Sequence, residues 1–186
     1  MKSLSEMTLE ELWRLFPIFL IDHKSYWKEW YLVEENLLKN TLSSNEKINH
    51  IGSTAIDTIC AKPIIDILVE IPFDDDILSY VNDIESIGYI CMSKNSTRLS
   101  FNKGYTVDGF AEKVFHIHLR YAGDNDELYF RDYLIDNPDI AHEYENLKLK
   151  LWKEFEYNRD AYTNAKTEFV KMYTAKAKDL YGDRYI

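Results

Sequence analysis

The chain has 186 residues, enough to bury a substantial core, and its 46% hydrophobic and 15% aromatic content excludes a disordered or low-complexity polymer. Its formal net charge of -10 argues against nucleic acid and against an anionic membrane surface as partners, since both draw on clustered Lys and Arg. A local basic pocket for a small phosphorylated ligand is compatible with that charge. The two cysteines, Cys60 and Cys91, form no CxxC and read as two buried thiols. The opening MKSLSEMTLEELWRLF carries acidic residues and no cleavable apolar core, and FPIFLI is too short to span a bilayer, so a cytoplasmic location is expected.

Thr8 with Glu11 is a capping box that opens a short helix, and Pro17 stops it. A second helix is expected from Asp22 to about Asn40. Its stripe is Trp27, Tyr31, Glu34 and Leu38, with Trp30, Val33 and Leu37 alongside. SSNEK reads as a turn and INHIG as a short strand. After Gly52-Ser53 and a short helical segment, KPIIDILVEI is the clearest strand, with Lys62-Pro63 at its start. DDDILSYVNDIESIG is expected to be a helix that buries Ile77, Leu78, Val81 and Ile84 and stops at Gly88. YICM follows as a strand.

RLSFN and FHIHLRY both alternate with a period of two, so each predicts a half-buried strand. KGYTVDGFAEK between them reads as a loop. From Asp124 three helices are expected: DELYFRDYLIDN, then PDIAHEYENLKLKLWKEF with Pro138 at its first position, then NRDAYTNAKTEFVKMYTAKAKDLYG. No internal repeat is evident. The pattern predicts an α/β (α+β) chain: a mixed sheet of about five strands, flanking helices and a helical C-terminal part. The expected division is one domain over 1–186. Residues 22–122 would form a helix and the sheet, and 123–186 would pack over the site.

Asp66 interrupts an apolar run, where a carboxylate is costly without a partner. Gly52-Ser53, thirteen positions before it, sits at a strand-to-helix turn whose N–H groups can face a phosphate. A strand carboxylate after such a turn can present a divalent cation to a phosphate. A second carboxylate two positions on would strengthen the reading, but that position is Leu68. Glu70 has the right parity but lies about 13 Å from Asp66 along the strand. His116 and His118 project to one side of their strand, as do Arg98, Ser100 and Asn102 of the preceding one. Two such histidines can bind a transition metal or contact phosphate. Tyr162 and Lys166 are i, i+4 neighbours, Arg131 lies on the first C-terminal helix, and His23 and His142 read as surface residues.

HIGSTAI…AKPIIDILV, RLSFNKG, FHIHL, FRDYL…NP, EYENLK and AYTNAKTEFV occur together and in order. This set resembles the GrpB family over roughly residues 22–180. The resemblance implies a nucleotidyltransferase-like fold with helices closing over the site face of the sheet. The family's patterned positions fall on His50, Gly52, Ser53, Lys62, Asp66, Arg98, His116, His118, Arg131, Tyr162 and Lys166. Some GrpB-like domains are fused to dephospho-CoA kinase, which implies a link to coenzyme A or nucleotide metabolism. STAIDTI replaces the commoner family wording STAVPGL, so Asp57 stands where a proline is usual.

The expected activity is binding of a nucleotide or phosphorylated metabolite, with Mg²⁺-dependent nucleotidyl or phosphoryl transfer. Gly52, Ser53, Lys62, Arg98, Arg131, Tyr162 and Lys166 would contact the ligand. Asp66, His116 and His118 would serve catalysis and the metal. The alternatives are a ligand-binding module that has lost catalysis, which Leu68 motivates, and a hydrolase that uses Asp66, His116 and His118 on a transition metal.

Overall fold

The computed structural model describes residues 2–42 and 45–185. Five strands form one mixed sheet in the order β1-β2-β5-β4-β3: β1 Lys47–Ile51, β2 Ile65–Ile71, β3 Ile90–Lys94, β4 Arg98–Thr106 and β5 Gly109–Tyr121. The central pair, β2 and β5, is parallel, and every other pair is antiparallel. The helices are α1 Leu9–Leu15, α2 Tyr26–Thr41, α3 Tyr80–Ser86, α4 Asp126–Asp136, α5 Pro138–Phe155, α6 Arg159–Ala165 and α7 Thr167–Tyr181. Among the described residues, no helix is long and apolar enough to cross a membrane.

The capping box forms as the sequence predicts. Glu11 N–H donates to Thr8 Oγ1, and Thr8 N–H donates to Glu11 Oε2. Helix α2 begins at Tyr26 rather than Asp22 and buries Trp27, Tyr31, Glu34 and Leu38, while Val33 is exposed. Buried Glu34 accepts from Lys103 Nζ (2.8 Å) and Tyr89 O–H (2.9 Å), which accounts for a carboxylate on the core stripe. The turn expected at SSNEK falls partly outside the described residues.

The acidic run 74–76 lies before helix α3. A 3-10 turn at Ile77–Ser79 leads into it, and Leu78 is exposed instead of packed. The segment read as a loop between RLSFN and FHIHLRY is a β-hairpin. Tyr105 pairs with Phe110 and Thr106 with Gly109, so only Val107 and Asp108 turn the chain. Its polar, glycine-bearing composition hid the pairing, because exposed hairpin ends need no apolar alternation. The last expected helix is two, α6 and α7, which meet at Lys166. Cys60 is buried and Cys91 half-buried, both as free thiols.

One face of the sheet packs on α2 and α3 through Ile65, Ile67, Val69, Phe115, Ile117 and Leu119. The other face of β2, which carries Asp66, Leu68 and Glu70, is also covered: Leu68 is fully buried with Ile51 and Leu128 of α4. The register sets Asp66 beside His116, Leu68 beside His118, and Glu70 beside Arg120. Further along the same face, Asn102 pairs with His116, Ser100 with His118, and Arg98 with Arg120. The predicted polar face is therefore present, and α4 packs against its β1 edge.

Candidate functional site

The site begins at the turn after β1. Gly52 has φ of 73°, and a Cβ there would lie 2.6 Å from Asp66 Oδ2. Glycine is required for the backbone conformation and for the closeness of the Asp66 carboxylate. Behind the turn, buried Thr54 donates its hydroxyl to the Ile64 carbonyl (3.2 Å), and His50 Nε2 is 2.9 Å from the same hydroxyl. The His50 ring stacks on Tyr31, and burial pushes its imidazole down to about 4. Its side chain braces the turn from the core side of the sheet. The His50 carbonyl takes a 2.8 Å hydrogen bond from Arg131 Nη1.

Between the turn and the C-terminal helices lies a cleft of about 230 Å³ that opens to solvent. Gly52, Ser53, Asp66 and His116 line its sheet side. Lys62, Arg131, Lys148 and Lys166 supply positive charge around it, and Tyr144 and Tyr162 supply aromatic walls. Lys148 is 2% exposed; its Nζ donates to Ser53 Oγ at 3.0 Å and to the Cys60 carbonyl. Lys166 and Lys62 lie over the Tyr162 ring, at 4.3 and 5.5 Å from its centroid, and Lys148 lies over Tyr144 at 5.1 Å.

Among the described residues, none of these three lysines makes an ion pair; each rests on an aromatic face. Burial pushes the Lys62 amine down to about 7, helped by the charge of Arg159 and Lys166. Burial likewise pushes Lys148 and Lys166 down to about 8. The cleft thus concentrates three lysines that, among the described residues, no carboxylate pairs with, in a chain of net charge -10. The Tyr162 hydroxyl is buried, with no hydrogen-bond partner among the described residues.

At the sheet end of the cleft, Asp66 Oδ1 is 3.1 Å from His116 Nδ1 and 3.3 Å from His118 Nε2. Burial alone would raise the Asp66 carboxyl, but the hydrogen bonds and charge of the two histidines outweigh it and hold the group well below the usual carboxylate range. Burial holds the His116 imidazole below its ordinary value despite Asp66. His116 Nε2 lies 2.8 Å from the Tyr105 hydroxyl, which also accepts from Arg159 Nη1 at 3.1 Å. The donor atoms of Asp66, His116 and His118 all lie within 4.8 Å of one another, close enough to share one metal ion.

Two of the expected ligand contacts stand differently in the structure. Arg98 lies away from the cleft, exposed, with Nε and Nη2 donating to Asp124 at 2.6 and 2.7 Å. Arg131 borders the cleft, but its donors are largely taken by Asp132, His50 and Tyr185, so it serves first as a brace for the turn. His142 is exposed on α5 beside Glu145, as expected. His23, read as a surface residue, is mostly buried: it precedes α2, packs edge-on against Trp27, and its Nδ1 has no partner among the described residues. Its Nε2 is 3.5 Å from Asp57, so the aspartate in the proline position pairs with a nearby histidine.

Lys148, Tyr144, Tyr105 and Arg159 were not anticipated as site residues. A signal for Lys148 exists in the sequence: it occupies the buried stripe of α5 with Ala141, Tyr144 and Leu151, where a lysine needs a reason. Nothing local marks Tyr105 or Arg159, which sit in the misread hairpin and on α6.

A helix–sheet architecture with a Gly-Ser turn before a carboxylate-bearing strand defines a nucleotidyltransferase-like fold. Solved structures agree. The Cid1 poly(U) polymerase bound to MgATP superimposes with a TM-score of 0.52 at 12% identity, over 78% of this chain and 46% of that one. At that identity the likeness speaks to the fold alone.

The GrpB family model ("GrpB protein") matches residues 17–176, and the chain belongs to the GrpB family. The crystal structure of the conserved protein GrpB from Enterococcus faecalis superimposes with a TM-score of 0.75 at 30% identity, covering 88% of this chain and 99% of that one. The glutamate-rich protein GrpB of Alkalihalophilus pseudofirmus is 34% identical over 82% of this chain and 91% of its own length. A UPF0157 protein of Pseudomonas aeruginosa is 33% identical over 81% of this chain but only 64% of its own length.

Proposed function

We propose that the cleft binds a nucleotide or another phosphorylated metabolite, with the phosphates seated between the Gly52-Ser53 turn and Lys62, Lys148 and Lys166. The observation that carries this reading is the set of three unpaired, desolvated lysines around a turn with φ of 73° at its glycine. Burying cations without carboxylates is costly, and an incoming polyanion offsets that cost.

Group transfer is the finer part of the proposal. Asp66 Oδ2 faces Gly52, while both histidines engage Oδ1. Mg²⁺ is held by one or two carboxylates with phosphates and waters, so Asp66 would reach it through Oδ2, the oxygen that neither histidine engages, together with the ligand phosphates. When bound, that ion supplies charge neutralisation for an in-line displacement. The lysines orient the phosphates, and the cleft walls limit water.

A second reading is a ligand-binding module without turnover. It is favoured by Leu68, which fills the place of a second carboxylate and is fully buried with Ile51 and Leu128. Calorimetric titration with ATP, with and without Mg²⁺, tests the binding proposal on wild type, Asp66→Asn and Lys148→Met. Wild type should bind, and Lys148→Met should bind about 10- to 100-fold more weakly, as expected for loss of one charge-assisted contact. No nucleotide or phosphorylated ligand binding by wild type would refute it. Incubation with labelled ATP and a metabolite extract separates the two readings: label transfer that is lost in Asp66→Asn favours the transferase.

A further inference from the structure

Mg²⁺ prefers a shell of oxygens, and the protein offers very few at this position. Of the carboxylate positions on this face of β2, Asp66 is the one at the cleft. Position 68 is a buried leucine, and Glu70 already accepts from Gly123 N–H and Asn125 Nδ2 at 3.0 and 2.9 Å. What surrounds Asp66 is nitrogen: two imidazoles from alternate positions of β5 converge on one of its oxygens.

We propose that Asp66, His116 and His118 form a binding site for a divalent transition-metal ion of the zinc, iron or manganese class. Two of the three donor separations match such an ion, and all three donors lie within 4.8 Å of one another, so a small rotation of the imidazoles would close the set. A cation about 2.0–2.1 Å from each donor places neighbouring donors roughly 2.9 Å apart in an octahedron and about 3.3 Å apart in a tetrahedron. The observed separations from Asp66 Oδ1 are 3.1 Å to His116 Nδ1 and 3.3 Å to His118 Nε2. Two imidazoles and one carboxylate on one side leave the opposite positions open, as in catalytic rather than structural metal sites.

A second, independent feature supports the site. Metal-bound imidazoles characteristically have their other ring nitrogen held by a hydrogen bond. His116 Nε2 is held by the Tyr105 hydroxyl at 2.8 Å, itself anchored by Arg159 Nη1 at 3.1 Å. A hydroxyl both donates and accepts, so this brace keeps the ring in place whichever nitrogen carries the hydrogen. The Asp66 and His118 side chains remain 28% and 30% exposed, so an ion and a further ligand can reach them.

The inference does not depend on phosphate binding, and its test is run without nucleotide. The full chain is stripped of metal with a chelator and titrated with Co²⁺ as a spectroscopic substitute. Visible ligand-field bands should saturate at a single ion per chain, be quenched by Zn²⁺, and persist in a large excess of Mg²⁺. His118→Gln and Asp66→Asn should each abolish the bands. Tyr105→Phe should weaken the affinity by about 10- to 100-fold. Lys148→Met should leave the bands unchanged, which separates this site from the phosphate-binding cleft. His142→Ala controls for the exposed histidine and should also leave them unchanged. The proposal is overturned if wild type gives no saturable bands, if the bands survive Asp66→Asn, or if Mg²⁺ displaces Co²⁺ at equal concentration. Should His118→Gln lose its far-ultraviolet dichroism, the wild-type and Asp66→Asn titrations decide the matter.

Discussion

Lys148 Nζ lies 3.0 Å from Ser53 Oγ, joining the middle of α5 to a turn 95 positions earlier in the chain. This contact brings the charge of the C-terminal helices to the sheet side of the cleft.

Ligand affinity should depend on pH in a definite direction. Burial lowers the Lys62 amine to about 7 and the Lys148 and Lys166 amines to about 8, so all three are protonated at mildly acidic pH and lose charge in turn above it. Binding of ATP should be strongest below pH 7 and weaken as pH rises through 7 to 8. A bound polyanion favours the protonated amines, so binding near pH 8 should take up protons. Calorimetry in buffers of different ionisation enthalpy reads that uptake directly, and proton release would contradict the assignment.

Gly52→Ala should destabilise the fold. Gly52 has φ 73° and ψ -176°, a region essentially reserved for glycine that costs another residue about 1–3 kcal/mol, and the added methyl would also meet Asp66 Oδ2 at 2.6 Å. Urea denaturation should therefore show a loss greater than the conformational cost alone. Gly123→Ala, where a Cβ meets nothing within 4 Å despite a φ of 89°, isolates that conformational part.

Stability should fall in mild acid. The folded-state His50 imidazole is pushed down to about 4 by burial, below the 6.5 of an unperturbed histidine. Its contribution is whole above pH 6.5 and is lost as pH falls from there toward 4, because the unfolded chain takes the proton first. At pH 5 the loss is about 2 kcal/mol. Denaturation at pH 7.5 and pH 5 should show this drop, and His50→Gln should reduce it. The Asp66 carboxyl, held low by its histidines, adds a further loss only below about 3.8, the ordinary aspartate range.

Arg98→Ala should leave ATP affinity nearly unchanged. Its guanidinium is committed to Asp124, is about half exposed and lies outside the cleft. A loss of affinity comparable to that of Lys148→Met would show that the arginine leaves Asp124 to meet the ligand.

Much of this arrangement was legible in the sequence because it is local. The apolar run around Asp66, the alternation of FHIHLRY and the Thr8–Glu11 cap each follow from neighbours along the chain, and each appears as read. The polar face could be assembled from parity alone, since strand side chains alternate. What could not be read were partnerships across distance. Arg98 looked like a phosphate ligand because its parity matched His116, but parity does not reveal that Asp124 waits at the end of the strand. Arg159 and Tyr105 meet only because α6 returns over the β4-β5 hairpin. Lys148 was the exception: its place on a buried helical stripe was visible, and only the reason for it lay elsewhere.

The division of labour across the cleft has a thermodynamic consequence. The carboxylate and the turn belong to the first half of the sequence, while two of the three unpaired lysines belong to the last quarter. A ligand that touches Ser53 and Lys148 together exists as a bound species only while both segments are in place, so occupancy and folding share one equilibrium. At a free concentration one hundred times Kd, that linkage adds about 2.7 kcal/mol to the unfolding free energy. A thermal-shift screen of phosphorylated metabolites would therefore report the natural ligand without requiring any knowledge of the reaction.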